Sequence, residues 1–214
     1  MPTLNLPDTT IITGVCRILY ANDLWQPKMP PNAKEERDEN GQLKIRLKYG
    51  CTLLVPKTDT TTVNGMLKCI NAARLRGVTL GKWSKERAPH VKSVVRDGDA
   101  ELEQGLKKDR VYAGHYFVNA ATYSPPELVG PNPRIPLPKD RKHIYSGMFG
   151  CAEINFYPAK VNGNEVIAAG LNSLQKVKDG ERVDGRVDPS SVYQSYDTDD
   201  GPEAPIGGGG AVSF

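Results

Sequence analysis

Apolar and polar positions sort this chain into a series of short β segments around one helix. Residues 11–20, IITGVCRILY, are rich in β-favouring side chains and end at a turn signal, Asn22 and Asp23, followed by Trp25 and Pro27. They read as a first strand. A charged loop, PPNAKEERDENGQ, then leads into a second strand at residues 43–55. There Ile45, Leu47, Tyr49, Cys51, Leu53 and Val55 fall on one face, while Lys44, Arg46, Lys48, Gly50 and Thr52 fall on the other. The first face is expected to build core and the second to form a basic stripe.

Pro56 ends that strand, and the spacing of Val63, Met66, Leu67 and Ile70 predicts a helix. Asp59 is its expected N-cap and Gly77 its stop, with Arg74 and Arg76 near the C-terminus matching the helix dipole. Residues 82–95 show no clear pattern, and RDGDAELEQG reads as an acidic surface turn. Residues 111–122 and 145–161 read as third and fourth strands. In the fourth, Met148, Ala152, Ile154 and Phe156 alternate with Phe149, Cys151, Glu153, Asn155 and Tyr157. A further strand at 165–171 pairs with it through Asn162, Gly163 and Asn164, residues suited to a hairpin turn. The Pro-rich stretch SPPELVGPNPRIPLPKDRKH is expected to be ordered only by a ligand or partner.

The length, 214 residues, suits one domain of about 180 residues and a tail. The expected division is 1–186 for the body and 187–214 for the tail. The tail has no apolar periodicity, contains four consecutive glycines and is expected to be disordered. Hydrophobic residues make up 38%, charged 25% and aromatic 7%, with 21 Gly and 17 Pro, which excludes collagen and coiled coil and implies many turns. No uncharged apolar run approaches the ~18 residues of a membrane span. The opening MPTLNLPDTT lacks the basic and apolar regions of an export signal, so a cytosolic protein is expected. Cys16, Cys51, Cys69 and Cys151 are scattered in apolar stretches without a CxxC pair, and fit small buried hydrophobes better than a zinc site.

Charge is asymmetric. All 28 Lys and Arg precede residue 187 against 20 acids there, a net +8, while Asp188, Asp197, Asp199, Asp200 and Glu203 give the tail −5. A basic body attracts polyanions, and an acidic tail can compete for the same surface or recruit a partner.

No phosphate loop, GxSxG elbow, HExxH motif or spaced carboxylate set occurs, so neither a catalytic residue nor a cofactor or metal is expected. Asp97 and Asp99 could hold Mg²⁺, but a charged turn is the commoner meaning of RDGD. Basic and aromatic residues on the solvent side of strands are the combination that single-strand binders use. The candidates for DNA binding are Trp25, Lys28, Lys44, Arg46, Lys48, Phe117, Tyr145, Phe149 and Tyr157. Trp25 and Phe117 suit a core position equally well, and the three strand cations suit a merely solvated face.

Several segments, TGVCRILYANDLWQPK, YGCTLLVPKTDTTTV, VRDGD, YAGHYFVNA and YSGMFGCAEINFYPAKVNGNEVIAAGLNSLQKVKDGERVDGR, together resemble the single-stranded DNA-binding proteins of tailed bacteriophages. The resemblance implies a mainly β fold, an OB-fold five-stranded barrel with long inserted loops and one main helix. It further implies a non-enzyme that binds single-stranded DNA in replication, recombination and repair, in the cytoplasm of the infected host. An acidic tail ending in an aromatic residue would bind phage or host replication proteins, here through Asp197, Asp199, Asp200, Glu203 and Phe214. This tail departs from the compact form, because a glycine run separates Glu203 from Phe214. Two other readings remain open at this point: a phage structural or assembly protein without DNA-binding activity, and a DNA-processing enzyme.

Overall fold

At Gly14 the first strand breaks. Its amide donates to Thr62 Oγ1 at 2.8 Å, and a side chain there would strike the Asp59 carboxylate. The computed structural model describes residues 6–29, 47–161 and 163–183, and in it the expected strand 11–20 is two, β1 (Thr10–Ile12) and β2 (Cys16–Leu19). The elements that follow are β3 (Tyr49–Pro56), helix α1 (Thr60–Thr79), β4 (Lys92–Ser93), β5 (Val95–Asp97) and helix α2 (Gly98–Glu103). After them come β6 (His115–Thr122), β7 (Glu127–Val129), β8 (Phe149–Val161) and β9 (Asn164–Lys178).

The break lets the first segment serve two neighbours. Among the described residues β1 pairs only with β8, whereas β2 pairs with β8 through Cys16 and Arg17 and with β3 through residues 17–19. β3 pairs along its length with β6, β6 meets β9 in parallel at Ala121 and Gly170, and β9 forms a long hairpin with β8. The pairings therefore close a ring, β8–β2–β3–β6–β9–β8. In chain order these are five strands joined 1-2-3-5-4-1, the order of an OB barrel, and closure removes the exposed edges that an open sheet would carry. The hairpin turns where expected, with Gly163 at φ +80, a conformation that costs a residue without Cβ nothing.

The barrel interior follows the alternation in the sequence. Met148, Ala152, Ile154 and Phe156 of the β8 region join Ile18, Leu53, Val55, Val118 and Leu171 in one buried cluster. Cys16, Cys51 and Cys69 are buried there as well, and burial pushes the Cys16 thiol up to about 12, so it stays protonated at neutral pH.

The helix departs from expectation at two positions. Asp59 caps it as predicted, its Oδ1 accepting from the Thr62 amide at 3.0 Å. Met66, Cys69, Ile70 and Ala73 face the barrel, but Leu67 is exposed, because the buried stripe is narrow and Leu67 lies beyond it. Gly77 does not end the helix; it is buried under the Trp83 indole, whose Nε1 donates to the Arg74 carbonyl at 3.0 Å. The chain turns out of the helix instead near Gly81, at φ +65. Arg74 has a structural role, donating from Nε and Nη2 to the Val91 carbonyl.

RDGDAELEQG is not a plain turn but contains α2, capped by Asp97 Oδ1, which accepts from the amides of Asp99 and Ala100. Lys57 Nζ bridges Asp97 at 2.6 Å and Asp99 at 2.8 Å, so both carboxylates are held by a lysine. The Pro-rich stretch is ordered within the chain: β7 pairs in parallel with β9, and the Leu137 amide donates to the Leu128 carbonyl with both side chains buried. β9 itself runs to Lys178 rather than ending near 171.

Candidate nucleic-acid interface

The outer face of β3 is not a solvated stripe. Within the described part of the strand, Thr52 and Leu54 are as buried as the core-facing Cys51, Leu53 and Val55. Leu54 joins Leu19, Tyr112 and Phe117 in a second apolar cluster outside the barrel, covered by Leu102, Val111 and Val183. Cross-strand register explains the assembly: Leu19 lies opposite Thr52, Thr52 opposite Asn119, and Leu54 opposite Phe117. Thr52 Oγ1 donates to Asn119 Oδ1 at 2.7 Å, which satisfies the buried hydroxyl.

Two adjoining grooves lie on this face. One, of about 400 Å³, runs over β3 and β6, with Lys48, Tyr49, Thr52 and Asn119 in its walls. The other, of about 450 Å³, is bounded by Leu19, Lys108, Asp109, Tyr112 and Val183. Tyr20, Asp23, Lys28 and Lys107 line both and so form their common edge. Four lysines against two aspartates make the walls electropositive.

Local structure positions this edge. Tyr20 is the described non-glycine residue with positive φ, at +55, and it is 55% exposed. Its left-handed backbone starts the short 3-10 turn Ala21–Leu24, and its side chain hydrogen-bonds that of Tyr112. Such a conformation is costly for a tyrosine and persists where the surroundings enforce it. Asp23 Oδ1 pairs with Lys28 Nζ at 2.6 Å. Lys28 and Lys48 exchange backbone hydrogen bonds of 2.9 and 2.8 Å, which brings two candidate lysines together at the rim. Lys48 Nζ lies 4.8 Å from the Tyr123 ring centroid, and Lys107 Nζ lies 4.7 Å from that of Tyr112. Burial pushes the Tyr112 phenol upward, helped by the neighbouring Tyr20, so it stays neutral.

The remaining candidates are dispersed. Trp25 is half-buried against the main core, with an indole Nε1 that has no partner among the described residues. Phe117 is 1% exposed, edge-on to Tyr112 at 4.9 Å, and is therefore core rather than a stacking surface. Tyr145 is likewise buried at 5%; its hydroxyl is committed to Asp179 and Gly180, and burial raises its pKa. Phe149 is half-exposed beside Arg17 and Lys178. Tyr157 is exposed, but on β8 and lining neither groove. Lys44, Arg46, Asp197, Asp199, Asp200, Glu203 and Phe214 lie outside the described residues.

Tyr20, Lys107 and Lys108 escape a reading of the sequence. Tyr20 looks like the last residue of a strand, and the two lysines look like the end of an acidic surface segment. The dibasic pair directly after an acid-rich helix is the one local signal that could have drawn notice.

An OB-type barrel with a cationic, tyrosine-walled groove over its second and third strands has the architecture of an oligonucleotide-binding module. The chain belongs to the family described as Enterobacter phage Enc34, ssDNA-binding protein, whose model matches residues 9–202. It is similar to the single-stranded DNA-binding protein from bacteriophage Enc34 in complex with ssDNA, at 20% identity over 82% of this chain and 89% of that one, with a TM-score of 0.63. A second structure of that protein matches at 22% identity over 87% and 90% of the two chains, with a TM-score of 0.59. Its C-terminal truncation matches at 19% identity over 81% and 88%, with a TM-score of 0.61. No curated protein sequence matches the chain. Among the described residues, no helix is long and apolar enough to cross a membrane, and no group of three or more His, Cys, Asp or Glu could hold a metal ion.

Proposed function

We propose that this protein binds single-stranded DNA without sequence preference, in the groove edged by Tyr20, Lys28 and Lys107, in support of phage replication, recombination and repair. The observation that carries this reading is the shared edge itself. A half-exposed tyrosine on a strained backbone shares that edge with lysines, on the face where OB barrels take oligonucleotides. Lysines track phosphates and the tyrosine stacks a base; neither reads sequence, because every base has a flat face and every nucleotide a phosphate. The likeness to a single-stranded DNA-binding protein from bacteriophage Enc34 in complex with ssDNA supports the choice of ligand in this reading.

The reading assigns the chain no catalytic step and places it in the cytoplasm of the infected host. The acidic tail, with Asp197, Asp199, Asp200, Glu203 and Phe214, competes with DNA for the basic body and recruits phage or host replication proteins. Anisotropy of a labelled oligo-dT at two salt concentrations, with duplex of equal length as competitor, tests the proposal. Tight binding that weakens with salt and is poorly displaced by duplex is expected. Absence of binding at low salt, together with presence of the protein in purified virions, would favour a structural or assembly role.

A further inference from the structure

Beside the groove, one half-exposed aromatic has cations close by and peptide backbone laid over it. Phe149 and Arg17 are cross-strand partners on β8 and β2. Lys178 Nζ lies 4.9 Å and Arg17 Cζ 6.0 Å from the Phe149 ring centroid. A flat ring with adjacent cations is the unit with which single-strand binders hold one nucleotide, base on ring and phosphate on cation.

The chain leaving β9 turns back over this unit. Gly180 packs so closely that a methyl group there would run into the Phe149 ring and the Gly147 carbonyl. Residues 179–183 are held down at several points. Tyr145 Oη donates to Asp179 Oδ1 at 2.6 Å and accepts from the Gly180 amide at 3.1 Å. Arg17 Nη2 donates to the Glu181 carbonyl at 3.0 Å, and the Val183 amide donates to the Ser146 carbonyl at 3.0 Å. Val183 then packs on the outer apolar cluster and forms part of the groove wall with Leu19 and Tyr112. The strap thus runs from the Phe149 ring to the edge of the groove.

Arg17 is incompletely satisfied under the strap. Its Nε is buried and has no partner among the described residues, and its Nη2 meets a neutral carbonyl. A phosphate oxygen is the stronger acceptor for a guanidinium and can engage two of its N–H groups at once.

We propose that Phe149, Arg17 and Lys178 form a second nucleotide subsite for single-stranded DNA, occupied when residues 179–182 of the strap lift while Val183 stays in the groove wall. The inference rests on the reading of the groove as a single-strand site. With the strap down the protein holds a short strand in the groove; with it lifted, a longer strand continues onto Phe149. Because strap and DNA compete, affinity for a long strand is reduced by the fraction of molecules that are closed.

The test uses the full-length protein with oligo-dT of about 6 and about 16 nucleotides, within the span of one OB fold. Tyr145→Phe keeps the ring but removes the hydroxyl that holds Asp179 and Gly180. It should raise affinity for the long oligonucleotide about threefold or more and leave the short one unchanged. Lys178→Ala, at an exposed position, and Phe149→Leu should each weaken the long oligonucleotide about fivefold or more without affecting the short one. Lys178→Ala should also reduce the salt slope for the long oligonucleotide by about 0.7. Equal effects on both lengths, or none on either, would overturn the subsite while leaving the groove intact. Failure of either length to bind the unaltered protein would overturn the groove reading and the subsite with it.

Discussion

Lys28 and Lys48 exchange both backbone hydrogen bonds, at 2.9 and 2.8 Å, although they stand 20 positions apart in the sequence. This one bridge places two cations on the same rim of the groove. Replacing both by alanine should lower the salt slope of oligo-dT binding by about 1.4, two neutralised phosphates' worth, with no change in melting temperature. An unchanged slope would remove both lysines from the interface. Asp23, paired to Lys28 at 2.6 Å, holds that charge back from DNA, so Asp23→Asn should raise affinity about threefold at low salt and less at high salt.

Tyr20 separates stability from binding. Its φ of +55 suits glycine, so Tyr20→Gly relieves about 1 kcal/mol of backbone strain and should leave the melting temperature level or higher. DNA affinity should nevertheless fall by about 1–3 kcal/mol, the range for one stacked base. Retained affinity in that variant would show that the tyrosine is not a stacking platform.

Phe117 gives the opposite pattern. At 1% exposure in the outer cluster, its truncation to alanine should cost about 3–5 kcal/mol in urea unfolding. Phe117→Leu keeps most of the volume and should bind DNA as tightly as the unaltered chain. A Leu variant that folds normally but loses DNA would return Phe117 to the binding surface.

Lys57 ties the end of β3 to the start of α2 through Asp97 and Asp99. The hydrogen bond from Lys57 holds both carboxyls below their usual range, and the same contacts raise the lysine. The carboxylates therefore stabilise the fold above their unfolded pKa of about 3.9, and that contribution is lost as pH falls through their lower folded values. The lysine's contribution is complete below about 10.4 and is lost only above that, through its raised folded value. Lys57→Met should lower the melting temperature at pH 7, and the gap to the unaltered chain should close as pH drops below about 4. A gap of constant size down to pH 2 would assign the lysine's effect to packing of its stem.

Removing residues from 187 onward takes away five acids and no cation. DNA affinity should rise, most at low salt, where local anions compete hardest with phosphates. Equal affinities with and without the tail at low salt would contradict competition.

The sequence by itself determined what depends on neighbours along the chain. Period-two alternation sorted Met148, Ala152, Ile154 and Phe156 to the inside of β8, Asp59 announced the helix start, and Gly163 marked the hairpin, because pleat, cap and turn are local geometry. The idiosyncratic segments spread from Thr13 to Arg186 also carried the family. Alternation says which side of a strand a residue takes, but not what later covers that side. Residues 106–112 and the strap 179–183 return from far along the chain to the outer face and cover Leu54, Phe117 and Tyr145; of these, Phe117 and Tyr145 are candidate DNA contacts by sequence, Phe117 with a core position equally open. The same long-range closure put Tyr20, Lys28, Lys48 and Lys107 around one groove, a grouping that no spacing in the sequence encodes. It follows from cross-strand register and from the burial of apolar area between distant segments, which only the folded chain brings into contact.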